Sequence, residues 1–119
     1  MAEDGVYQAT VSGMVVMYIG LLRKGPHWTE EVTPEVEQLR AAHVANNRHL
    51  QATGKFAAVG PVIDGSDLLG HCIIRANSLT EARAITDIDP AVQAGRFVYE
   101  IHPWMVNEGT FDVSTTPQE

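Results

Sequence analysis

The sequence predicts a small α+β domain with the element order β-α-β-β-α-β. Three observations carry that reading. Met14–Leu22 is apolar at nearly every position, as a strand buried on both faces must be. Thr33-Pro34-Glu35 and Ser78-Leu79-Thr80-Glu81 are two separate helix starts, each flanked by strand-like runs. The chain has 119 residues, 45% of them hydrophobic, which suits one packed domain.

Taken in order, residues 1–12 are polar and mixed, and read either as a frayed arm or as a short edge strand. The first strand is Met14–Leu22. Arg23–Thr33 is a loop carrying Lys24-Gly25-Pro26-His27-Trp28, a turn signal with an aromatic. Thr33 caps the first helix, Pro34 suits its first position, and Gly54 closes it. Its inward stripe is Val36, Leu39, His43, Asn47 and Leu50, spaced by threes and fours. Two of those five are polar, the sharpest local anomaly in the sequence. Lys55–Val62 is the second strand, ending near Gly60-Pro61, and Leu68–Arg75 is the third. The second helix buries Leu79, Ala82 and Ile85 and ends near Asp87. Asp89 to Gly95 is a short capped helical turn, and Arg96–His102 is the fourth strand. From Val106 the chain turns polar. The expected division is an arm over 1–12, a domain over 13–105 and a tail over 106–119.

This order is the split, ferredoxin-like sandwich. Both helices then cover one sheet face. Because the first strand is apolar on both sides, the other face suits a contact with a second copy, so a homodimer is expected.

Composition removes several function classes. The formal charge is -7, and the eight Lys and Arg residues are scattered, so no nucleic-acid partner is expected. The first apolar run follows Glu3 and Asp4 and is too short for a bilayer; a cytoplasmic protein with no export signal and no membrane association is expected. Cys72 is the only cysteine, which excludes an intrachain disulfide and a cysteine-based zinc site, and Cys72-Ile73-Ile74 reads as core. His43 and His49 fall on nearly opposite helix faces, and His27, His71 and His102 sit on separate elements, so no metal is expected. No dinucleotide, phosphate-loop or nucleophile-elbow pattern is present, and no cofactor is expected.

The candidate site residues each carry two readings. His43 is either a core histidine satisfied by one hydrogen bond or a pocket group suited to proton transfer. Asp89 caps the short turn, and its second oxygen is free to do more. Asn47, one turn after His43, either lines the same pocket or bonds nearby backbone. Trp28 either lids a pocket or packs its own loop. Gly60 and Pro61 either end a strand or present backbone to a ligand.

Several of these segments together resemble a known family. They are Gly25-Pro26-His27-Trp28, Leu39 to Asn46, Gly54 to Pro61, Ser78 to Arg83, Asp89 to Arg96, and His102-Pro103-Trp104. In that order and spacing the chain resembles the YCII-related (YciI-like) family over about residues 14 to 105. The resemblance implies a fold similar to muconolactone isomerase and other dimeric α/β-barrel proteins. It also implies an active-site pair, a histidine on the first helix with an aspartate before proline, here His43 and Asp89. One characterised relative is similar to dehydrochlorinases of chlorinated hydroxyquinols.

The expected function is a cofactor-free lyase or isomerase, acting by proton transfer on a small aromatic-derived or lactone-like acid. A ligand-binding or regulatory module without chemistry, and a scaffold with a vestigial pocket, stay open beside it.

Overall fold

The computed structural model describes residues 5–111. The parts of the expected arm and tail at 1–4 and 112–119 lie outside them. The elements are β1 (Met14–Lys24), α1 (Pro34–Ala52), β2 (Phe56–Pro61), β3 (Leu68–Ile74), α2 (Leu79–Asp87), α3 (Pro90–Gln93) and β4 (Phe97–Asn107). The order is the expected β-α-β-β-α-β, with α3 as the short turn before β4. One four-stranded sheet, ordered β2-β3-β1-β4 and antiparallel throughout, carries the helices.

The expected helix ends hold. Thr33 Oγ1 accepts from the Val36 amide at 3.1 Å, with Pro34 at the first position. Beyond the last turn Gly54 has φ +84, the left-handed region where a side chain is strained. Ser78 Oγ accepts from the Glu81 amide at 3.0 Å, opening α2. Asp89 caps α3, its Oδ1 accepting from the Ala91 amide at 2.8 Å.

β1 is central, between β3 and β4, which is why it is apolar on both sides. Tyr18 and Leu22 point to the helix side and join Leu50, Phe56, Cys72, Ile74, Ala82, Ile85, Tyr99 and Ile101 in the main core. Met17 points the other way, into a smaller cluster with Ile73 and Val106. Residues 5–13 form no strand, so the edge-strand reading does not hold there. Tyr7 instead meets the Tyr18 ring edge-on at 6.5 Å.

Two expectations are corrected. β4 runs past His102 to Asn107, with Pro103 opposite Tyr18. A proline ends a central strand but not an edge one, where its missing N–H faces away from the neighbour. Val106, read from sequence as the start of a polar stretch, is buried under the sheet. The second correction concerns α1. Its stripe faces inward as expected, yet only Leu50 is buried, while Val36, Leu39, His43 and Asn47 stay half-buried. The helix rests on the sheet at its C-terminal end and stands away from it elsewhere.

The sheet face opposite the helices is partly covered by the chain itself. Phe111 packs on the Met17–Ile73–Val106 cluster and lies 6.2 Å from the Trp104 ring. Arg75 holds the Phe111 carbonyl from below, and the Gly54 carbonyl at 2.9 Å.

Cys72 is fully buried, and burial pushes its thiol up to about 12. Since only the thiolate attacks, a disulfide reagent at mildly alkaline pH should leave the native protein unmodified. After unfolding it should label one thiol per chain. Rapid labelling of the native protein would contradict this packing.

Candidate functional site

α1 stands off the sheet over a cavity of about 550 Å³. That size falls in the range of small-molecule sites. Its floor is sheet: Leu22, Val59, Leu69, Phe97 and Tyr99. Its roof is α1, including His43, Val44 and Asn47. The half-polar stripe is therefore the roof of a cavity.

α1 also packs on α3, and that contact brings together two residues 46 apart in sequence. His43 Nδ1 lies 2.5 Å from Asp89 Oδ2. Asp89 is 1% exposed and His43's side chain 12%. Both carboxylate oxygens are committed, Oδ1 to the Ala91 amide and Oδ2 to the imidazole. An oxygen facing an imidazole nitrogen at this distance accepts its N–H. Nδ1 then carries the proton, and Nε2 presents a lone pair. Asn47 Nδ2 stands 3.2 Å from that Nε2 and donates to it. This arrangement leaves Asn47 Oδ1 buried without a partner. The Phe97 ring, 4.9 Å from the imidazole, closes another side. A fixed tautomer and a basic nitrogen at a cavity wall suit a general base, once Asn47 gives up the Nε2 lone pair.

The loop from β1 forms the end wall. Trp28 lines the cavity, its ring 6.0 Å from Phe97, with the Arg96 guanidinium 4.1 Å above it. The loop is fastened to the turn after α3: the amides of Gly25 and His27 donate to the carbonyls of Arg96 and Gly95, each at 2.8 Å. His27 Nδ1 lies 3.1 Å from the Ala94 carbonyl, so His27 pins the loop. A Cβ on Gly25 would stand 2.3 Å from the Gly95 carbonyl oxygen, so only glycine admits this approach.

Every site candidate from the sequence, namely His43, Asn47, Trp28, Gly60 and Pro61, lines the cavity, and Asp89 stands behind His43. Sequence reasoning missed Arg40, Arg48, Arg96, Phe97 and Tyr99, which line it too. Arg40 and Arg48 carried a usable signal: with Val44 they form an i, i+4, i+8 row beside the His43–Asn47 row. Arg96, Phe97 and Tyr99 carried none, because their place follows from β4 lying beside β1. Among the described residues, no group of three or more His, Cys, Asp or Glu side chains is placed to hold a metal ion. No helix among them is long and apolar enough to cross a membrane.

Residues 17–105 match the family model of the YCII-related domain. Among solved structures, the chain is similar to 5-chloro-2-hydroxyhydroquinone dehydrochlorinase from Burkholderia phenoliruptrix in complex with 2,5-dihydroxybenzoquinone. The identity is 26%, over 76% of this chain and 93% of that one, with a TM-score of 0.49. It is also similar to a dimeric ferredoxin-like protein of unknown function from Thermobifida fusca. There the identity is 17%, over 89% of this chain and 99% of that one, with a TM-score of 0.40. No curated protein matches.

Proposed function

Because the chain belongs to the YCII-related family, we propose that its cavity is the site of a small acid/base enzyme, a cofactor-free lyase or isomerase acting on a small aromatic-derived or lactone-like acid. One observation carries the reading: the buried His43–Asp89 pair at the cavity wall, with Nδ1 bound to the carboxylate. His43 is the proton-transfer residue. Its Nε2 takes a proton from a substrate carbon, and the electron pair left behind moves into the conjugated system. In an isomerase the proton returns at another carbon; in a lyase the pair forms a new double bond as the leaving group departs with the electrons of its own broken bond. Asp89 is the positioning residue. It fixes the tautomer and stabilises the imidazolium that forms. Trp28, Asn47, Gly60 and Pro61 bound the substrate.

Deuterium exchange tests this. In D₂O the protein should wash deuterium into the acidic carbon of small lactones and ring-derived acids, and His43→Gln should not. Equal exchange by both proteins across such a panel would overturn the reading.

A ligand-binding module without chemistry draws on one observation: Asn47 Nδ2 already occupies the lone pair at Nε2. Under the enzyme reading Asn47 swings aside when substrate enters, and its unpartnered Oδ1 then finds a donor.

We also place a homodimer on the open sheet face. Ile19 and Leu21 are half-buried there, and Trp104 is 38% exposed, beside an Arg23–Glu100–His102 cluster. Light scattering at micromolar concentration should give twice the chain mass. A stable monomer would refute the dimer without touching the cavity.

A further inference from the structure

The chain carries fifteen acidic and eight basic residues, yet the cavity inverts that balance. Its charged lining consists of Arg40, Arg48 and Arg96, with no carboxylate among the lining residues. The carboxylate of Asp89 lies behind His43, with both oxygens committed. Elsewhere an arginine at the surface has found a counter-ion: Arg23 meets Glu100 at 2.9 Å. Among the described residues no carboxylate lies within ion-pair distance of the three cavity arginines. Arg96 has one carbonyl partner, Thr29, at 3.1 Å, and is otherwise stacked on Trp28. Its Nε is buried without an acceptor, and so is the neighbouring Trp28 Nε1. These two donors and the unpartnered acceptor Asn47 Oδ1 are sealed from solvent, so the preference of the cavity rests on its three guanidinium charges, which no carboxylate offsets.

The geometry of α1 adds a second line. Arg40 and Arg48 stand two turns apart on one row, about 12 Å along the axis, with Val44 between them and His43 beside it. Their flexible side chains flank the cavity from either end of the His43 turn. A carboxylate has no donors and accepts up to four hydrogen bonds, and a guanidinium fork matches it.

We propose that the cavity selects a small planar organic anion over its neutral counterpart, with Arg40, Arg48 and Arg96 reading the carboxylate. This rests on the cavity being the substrate site, and it names the residues that hold the acid group of that substrate in its ionised form. The anionic group anchors the molecule at the arginine rim, and the apolar ring lies on Phe97 and Tyr99 below His43.

Benzoate and benzamide are the probes: one shape, with and without the charge. The readout is the indole N–H resonance of Trp28 in a titration. Benzoate should bind about tenfold more tightly than benzamide, with the gap narrowing as salt is added. In the Arg40→Gln, Arg48→Gln double variant, both positions being exposed on the helix, the preference should fall to about threefold or less, the remainder belonging to Arg96. His43→Gln should keep the full preference, so a failure of the catalytic reading leaves this one standing. Equal binding of the two probes overturns the proposal. So does an undiminished preference in the double variant, its loss in His43→Gln, or no shift of Trp28 with benzoate at millimolar concentration.

Discussion

His43→Gln is expected to lower turnover of a proton-transfer substrate by about 10²–10⁴-fold, the usual contribution of a positioned acid/base group. The fold should survive. Asp89 is buried and needs a donor at Oδ2, and the glutamine amide supplies one where Nδ1–H did. His43→Asn is the companion variant, because its amide nitrogen takes the position of Nδ1 more closely. Neither amide offers a basic lone pair at the place of Nε2. Circular dichroism and the thermal midpoint should be close to those of the parent, while deuterium exchange vanishes. Full exchange in a folded variant of either kind would remove His43 from the chemistry.

Asp89→Asn is expected to be nearly as damaging to activity, about 10²–10⁴-fold, for a reason visible only in the geometry. In sequence terms an amide there looks tolerable, since it still accepts a hydrogen bond. The structure gives Asp89 two donors to satisfy at once, the Ala91 amide and His43 Nδ1–H. Asparagine has one acceptor and one donor end. The backbone amide cannot change, so the oxygen stays on Ala91. The NH₂ then faces Nδ1 and drives the proton to Nε2, where the base should be. Stability changes little, because the Asn47 amide can turn so that its Oδ1 accepts from the new Nε2–H. Asp89→Ala differs: it removes the cap and strands two buried donors, a loss of about 2–4 kcal/mol. Near-parental activity in Asp89→Asn would show that the tautomer is not set by this carboxylate.

Much of this was legible in the chain. Met14–Leu22 announced a central strand because burial on both sides leaves no room for alternation. Thr33, Ser78 and Asp89 announced helix starts because orphan amides need acceptors. His43 and Asn47 stood out as polar residues on a stripe that should be apolar. The misreadings share a cause. Pro103 reads as a stop until the strand is known to be an edge, and edges are set by sheet order, which no local pattern contains. The α1 stripe reads as inward-facing, but a wheel of residues shows which side faces in, not whether core or cavity lies opposite. Arg96, Phe97 and Tyr99 joined the site only when β4 paired with β1.

The lifted helix also has a bearing on how the chain folds. A helix earns most of its stability from tertiary packing, and α1 is packed firmly only around Leu50 and where it meets α3. The strands and α2 are held by the main core. The sheet and α2 are expected to form the cooperative nucleus with α1 docking later, and Val36→Ala and Leu39→Ala should then speed unfolding while leaving the folding rate nearly unchanged. Once docked it is expected to be the least protected long element, with amide exchange faster along α1 than in β1. A cleft beneath a helix is empty volume that the core forgoes, and between Leu50 and the sheet-distant turns α1 is tied down chiefly through His43 and Asp89. The same looseness gives a guest a way in: a brief rise of one helix, with the sheet left standing.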